Sequence, residues 1–237
     1  MRTRFITIAS AITMILFLSG FAHAIPANLY DILGGDTDLQ NYTDTFAPAA
    51  KLIDTDGTGD DSTFFLFLES AGFASDNTFG IYGFTYNPDG SVNLGASLQI
   101  FSGSVSAPDS ATVSFNLATG LATYNGTSAT IGTTFGFYLT TPEGNGYTYY
   151  SHASLNDDGF DHFMLFDTSD NSVGSLMGAD LVVAMEDLYG GGDQDYNDMV
   201  VGVSDVAPAP VPEPATLLLI GSGLLGMGIF RRKKDTH

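Results

Sequence analysis

Cysteine and tryptophan are both missing from the 237 residues. Without cysteine there is no disulfide staple, no thiolate nucleophile and no thiolate zinc site. Fixed positive charge is nearly as scarce, with seven Lys and Arg against 27 Asp and Glu. Six of the seven cations sit at the two ends: Arg2, Arg4, Arg231, Arg232, Lys233 and Lys234. Between Ile25 and Pro210, Lys51 alone faces 25 acidic residues, a formal charge of −24. Such a surface repels phosphate and offers no basic patch, which argues against nucleic acid as a partner. It also repels itself, and divalent cations are the obvious counter-ions. Solubility alone would explain the acidic total but not its clustering. There is no Gly-x-Ser-x-Gly elbow and no phosphate-cradling glycine loop before a helix. Gly190-Gly191-Gly192 leads into acids instead.

The ends carry the uninterrupted apolar runs. Arg2 and Arg4 precede one from Phe5 to Phe21, and Ala22-His23-Ala24 presents small residues where a signal peptidase reads. Residues 1–24 are therefore expected to be a secretory signal peptide cleaved by signal peptidase. At the other end, Val211-Pro212-Glu213-Pro214 is followed by sixteen uncharged residues, Ala215 to Phe230, and then by Arg231, Arg232, Lys233 and Lys234. Sixteen helical residues span roughly 24 Å, short of a bilayer core about 30 Å thick. The four cations mark a cytoplasmic stop. A plain membrane anchor is one reading. Pro212, Glu213, Pro214, the apolar helix and the basic tail together resemble the PEP-CTERM sorting signals of Gram-negative bacteria. That resemblance implies processing by an exosortase-type membrane protease, a transient stay in the inner membrane, and release to the cell surface or extracellular matrix. Exopolysaccharide or another glycan of a biofilm is then a candidate partner.

The interior, residues 25–206, has one domain's worth of chain. Short runs rich in Phe, Tyr, Val, Ile and Thr recur between Gly, Asn, Asp and Ser. Strands are expected near 63–69, 79–86, 92–101, 111–117, 121–125, 134–140, 147–151, 162–166, 181–186 and 199–204. Val113-Ser114-Phe115-Asn116-Leu117 alternates apolar and polar, and Asn125-Gly126 sits where a tight hairpin would turn. No helical period of ten or more residues exists between the two terminal signals. The pattern predicts an all-β antiparallel β-sandwich, with a jelly roll among its possible forms, flanked by a signal helix and a C-terminal membrane helix. Residues 207–214, with four prolines in eight, predict an extended linker.

Three acidic loops carry the candidate chemistry. The richest runs Glu186-Asp187-Leu188-Tyr189-Gly190-Gly191-Gly192-Asp193-Gln194-Asp195-Tyr196-Asn197-Asp198. Calcium takes six to eight oxygen ligands. Asp193, Asp195 and Asn197 alternate, so their oxygens can converge in a looped segment. The glycines let the backbone fold close to an ion, and Glu186 and Asp187 with Asp198 complete the expected ligand set. A second loop holds Asn156, Asp157, Asp158, Gly159, Phe160, Asp161 and His162. Asp157, Asp158 and Asp161 can join the first loop if the flanking strands are neighbours. His162 is read as structural, as is His152, because an oxygen-dominated site favours Ca²⁺ over Zn²⁺. The third loop begins Asp54-Thr55-Asp56-Gly57-Thr58-Gly59. Asp54 and Asp56 match the start of an EF-hand, but Thr58 and the twelfth-position Phe65 do not, and strand residues follow. A different calcium loop and a plain surface turn both remain open.

The run Gly146–Ser151, the loop Asn156–His162, Glu186-Asp187-Leu188 and Asp193–Asp198 together resemble an Asp/Glu-rich bacterial domain of unknown function. That domain is found near the C-termini of large surface and adhesin-like proteins. The resemblance covers roughly residues 135–203. Gln194 stands where that domain usually has Arg, which removes a possible internal counter-ion and implies a greater need for metal.

The residues thus predict a non-enzymatic, calcium-stabilised protein of the cell surface or biofilm matrix. A calcium-dependent carbohydrate-binding, adhesin-like module is the alternative, with Tyr189 and Tyr196 as sugar platforms. A glycoside hydrolase using Glu186 with Asp195 or Asp198 is a further one. The lack of tryptophan weighs against it.

Overall fold

The computed structural model describes residues 29, 44–53, 61–69, 73, 75–170 and 176–209. The expected signal peptide, the Asp54/Asp56 loop, the Pro-Glu-Pro motif, the expected membrane helix and the basic tail lie outside these residues. Among them, thirteen strands form two antiparallel sheets. In chain order they are β1 (Ala49–Leu52), β2 (Asp61–Glu69), β3 (Thr78–Tyr86), β4 (Val92–Phe101), β5 (Asp109–Asn116), β6 (Leu121–Tyr124) and β7 (Thr127–Thr130). Then come β8 (Thr134–Thr141), β9 (Tyr147–Tyr150), β10 (Phe163–Asp167), β11 (Leu181–Met185), β12 (Met199–Val203) and β13 (Val206–Ala209). One sheet has the order β13-β1-β8-β3-β4, with β9 continuing along β8 beyond β1, and the other runs β10-β11-β12-β2-β5-β6-β7.

Each of the ten expected segments coincides with a strand, and β1, β7 and β13 are additional. Val206–Ala209 pairs with β1 from Leu52↔Val206 to Ala49↔Ala209. Three of the residues expected in the proline-rich linker are therefore an edge strand, where missing proline N–H groups face no ladder. Asn125 and Gly126 form the two-residue turn between β6 and β7, at φ 47° and 78°. Both angles are positive, as a type I′ hairpin requires.

The inner faces share one core. Phe64, Leu66, Val113, Phe115, Val183 and Val201 of one sheet meet Phe79, Ile81, Phe135, Phe137 and Leu139 of the other. Phe115 stacks on Phe135 at 5.5 Å across the gap between the sheets. The seven-stranded sheet is also covered on its outer side, at the β10-β11-β12 end, by Leu29, Leu176 and Tyr196. That second layer buries Val182 and Ala184 while Leu181, Val183 and Met185 point inward. Double-sided burial is why β11 and β12 read as continuous apolar runs rather than alternating ones.

Two glycine–tyrosine crossings fix the other sheet. Gly80 lies opposite Tyr138 and Gly136 opposite Tyr82 on β3 and β8. Each ring lies over its partner glycine where a side chain would otherwise stand. The Tyr82 hydroxyl then meets His152 Nδ1 at 2.6 Å, while Tyr86 meets Nε2 at 2.9 Å. Burial pushes the His152 pKa down to about 4, so the ring is neutral in the neutral range. His152 is thereby a fixed post at the start of the second acidic loop. Gly136→Ala should drive a methyl group into the Tyr82 ring and cost about 1–3 kcal/mol. A urea midpoint shifted down without a change in slope would confirm it, and an unshifted midpoint would refute it.

Candidate metal centre

The acidic end is built where β10 and β11 stop. These strands pair from Phe163↔Met185 to Asp167↔Leu181, so the loop before β10 and the loop after β11 leave the sheet side by side. The second and first acidic loops of the sequence therefore converge. One step past the ladder, Glu186 N donates to the His162 carbonyl at 3.0 Å, and His162 Nδ1 meets the Glu186 carbonyl at 2.9 Å. The main chain of Glu186 is clamped on both sides.

The loop that follows folds back on itself. Gly190, Gly191 and Gly192 have φ of 75°, 82° and 42°, and Gln194 and Tyr196 have 61° and 51°. Left-handed residues thus alternate with Asp193, Asp195 and Asn197, and curl the acids around one centre. Two non-glycine residues in that region each cost of the order of 1 kcal/mol. The glycines at 191 and 192 are required for space as well. A side chain at Gly191 would strike the Phe160 ring, and one at Gly192 would strike Glu186 Oε1. Asn197 bridges to Met185, and Asp198 Oδ2 accepts the Asp187 N–H at 2.9 Å, closing the loop.

The carboxylates then divide by their partners. Asp158 accepts from Phe160 N at 3.0 Å, Gly190 N at 2.7 Å and faces His162 Nε2 at 2.9 Å. Burial alone would raise its pKa, but the Gly190 and Phe160 N–H groups and the histidine outweigh it and hold the carboxyl low. Both His162 ring nitrogens face oxygen atoms, the Glu186 carbonyl and Asp158 Oδ2, and the ring stacks on Tyr149 at 3.6 Å. Glu143, from the β8–β9 hairpin, accepts from Tyr189 N at 2.7 Å and from the Tyr149 hydroxyl at 3.2 Å.

Glu186 has no such support. It is 0 % exposed, and neither carboxylate oxygen has a hydrogen-bond donor. Its polar neighbours are further acids. Glu186, Asp193 and Asp195 place one oxygen each within 4.8 Å of one another, as do Glu186, Asp187 and Asp198. Burial, then the charges of Asp198, Asp193 and Asp187, push the Glu186 carboxyl up to about 9. Asp187 is pushed up to about 6 by burial and Asp198, although Asn77 Nδ2 donates to its Oδ2 at 2.8 Å.

Of the ligands expected from the sequence, the fold gathers Glu186, Asp187, Asp193, Asp195 and Asp198. Asn197 lies among them but donates its amide to Asp195. Asp157, Asp158 and Asp161 stand outside the two groups. Asp158 binds loop and histidine, and the Asp161 carbonyl accepts the Tyr196 hydroxyl at 2.8 Å. Tyr196 corrects an expectation: it is 4 % exposed in the outer apolar layer and is no sugar platform. Tyr189 is 49 % exposed. Sequence reasoning missed Asn77 and Glu143. Both arrive from the other sheet's strand ends, over separations of 110 and 46 residues, and neither sits in an acidic run.

The molecule is thus a two-sheet β domain with an all-oxygen carboxylate cluster at one end, buried at Glu186 and Asp187 and open at Asp193. Residues 130–205, which span both converging loops, match the family described as a domain of unknown function (DUF4114). Residues 210–234 match the PEP-CTERM protein-sorting motif, which supports an exported, membrane-passing precursor processed by exosortase, a membrane protease. No curated protein and no solved structure matches the chain.

A folded carboxyl held above its unfolded value carries a proton that the unfolded chain has already released. Cation-free stability should therefore fall as pH rises through the neutral range toward the raised Glu186 value. In EDTA the melting temperature should drop by several degrees between about pH 7 and about pH 9, a window in which His152 stays neutral. Glu186→Gln should flatten that slope and raise the pH 9 value. A wild-type melting temperature independent of pH there would contradict the uncompensated carboxylate.

Proposed function

We propose that this protein is an exosortase-sorted component of the cell surface or biofilm matrix, non-enzymatic, with a β-sandwich stabilised by calcium. The observation that carries the calcium reading is the buried Glu186 carboxylate with acids for neighbours and no donor. Leaving such a charge uncompensated costs several kcal/mol, and a cation removes the cost. The donor set is entirely carboxylate and amide oxygen, which suits Ca²⁺ over softer metals. Exposed Asp193 and half-buried Asp195 give an ion a route from solvent. Export carries the chain out of the cytoplasm toward calcium, so address and site support each other. The Asp/Glu-rich, adhesin-like placement suggested by the sequence agrees with this reading.

A calcium-dependent carbohydrate-binding role is the second reading. Its support is Tyr189, half exposed on the same loop, with its ring 5.2 Å from that of Tyr147 and Leu188 exposed beside it. Glycan binding lost in EDTA and in Tyr189→Ala would support it, and binding that survives EDTA would remove it. A hydrolase has less support, because Glu186, one of its two acids, is sealed from a sugar-sized substrate.

Calcium binding the folded form at about 10 μM would add roughly 2.7 kcal/mol at 1 mM. The purified protein should then melt roughly 5–10 °C higher with 1 mM calcium than with EDTA. The Asp193→Ala, Asp195→Ala double variant should show a smaller difference than the wild type. An unchanged wild-type midpoint would sink the calcium reading.

A further inference from the structure

We propose that the cluster binds two divalent cations, with the Glu186 carboxylate bridging them. This rests on the cation reading above and specifies its stoichiometry. The two carboxylate groups share Glu186 and nothing else: Asp193 and Asp195 stand on one side, Asp187 and Asp198 on the other. Both Glu186 oxygens are buried without a partner, so each is available to one group. Oε1 faces the space over Gly192, the residue that leads into Asp193.

The inner group carries an orphan of its own. Asn77 is 0 % exposed, its amide nitrogen donates to Asp187, and its Oδ1 has no hydrogen-bond partner. A neutral amide oxygen is an ordinary ligand for a hard cation. The inner carboxylates are oriented in advance, Asp187 by Asn77 and Asp198 by the Asp187 N–H. The charge count agrees. One divalent cation would leave three of the five negative charges uncompensated in a region without Lys or Arg, whereas two leave one. Two-metal carboxylate sites place their ions about 4 Å apart, a distance one bridging carboxylate spans. The sites would differ in access: the outer one opens through exposed Asp193, while the inner pairs buried Glu186 and Asp187 with half-buried Asp198.

Stoichiometry decides the matter. Native mass spectrometry of the purified full-length protein in calcium chloride should show two calcium ions per chain. The Asp193→Ala, Asp195→Ala variant, altered only in the loop, should retain one, and Asn77→Leu should weaken the inner ion at least tenfold. Glu186→Gln should lose the two-ion species. With Mn²⁺ as the probe, electron paramagnetic resonance of the two-ion form should show exchange coupling in place of two isolated ions. One ion per wild-type chain would overturn the bridge and leave the calcium reading standing, and no bound ion would overturn both. Two ions without coupling would place the second elsewhere and overturn the bridge.

Discussion

The acidic end depends on one buried carboxylate that the protein leaves without a hydrogen-bond donor. The loops around Glu186 do not lack donors. Asp158 takes two backbone N–H groups and a histidine, Glu143 takes a backbone N–H and a tyrosine hydroxyl, and Asp198 takes the N–H of Asp187. The same thirteen-residue loop therefore satisfies three acids and presents a fourth to further acids. Buried polar groups are nearly always partnered, and Glu186 departs from that rule at both carboxylate oxygens. Among the described residues, one further buried carboxylate oxygen lacks a partner, Glu69 Oε1 at the end of β2, whereas Glu186 lacks one at both oxygens.

Holding that arrangement requires a frame that does not yield. Glu186 follows directly on β11, buried on both faces, and its backbone is clamped to His162. His162 is stacked on Tyr149 and tied to Asp158, which reaches Gly190. Phe160 closes over Gly191, and Tyr196 plugs the outer apolar layer while its hydroxyl holds the Asp161 carbonyl. Each contact ties one acidic loop to the other or to the core. Glu186 and Asp187 are thereby held buried beside their acidic neighbours, although Asp193 reaches solvent.

Period-two alternation and hairpin turns made most of the sheet legible in the sequence. Val113 and Phe115 point inward as their spacing requires, and Asn125-Gly126 turns as its chemistry requires. What escaped was short or atypical: β1 (AAKL) and β13 (VAPA) are four-residue strands of low β propensity, β13 at the sheet edge and β1 held between it and β8. At the site, Glu186, Asp193 and Asp195 were visible because their convergence is local. Asp158 falls outside the two groups: spacing shows a carboxylate but not the N–H groups that occupy it. Tyr196 looked exposed among acids, yet its positive φ turns the ring into the outer layer. Asn77 left no signal, since its role exists only when β3 arrives beside the β11–β12 loop.

Neutralising this domain from within is not open to it. Among the described residues the only Lys or Arg is Lys51, exposed on β1. Compensation must come from solvent, as protons or as cations. Protons serve Glu186 only while pH stays below its raised value, and Asp193 and Asp195 stand with it in one group. A divalent cation serves all three together without a narrow pH requirement. If that is the occupant, folded stability becomes a function of place: lower where the cation is scarce, higher where the sorting motif takes the chain. Four of the six terminal cations, Arg231 to Lys234, fall in the matched sorting motif and not in the domain.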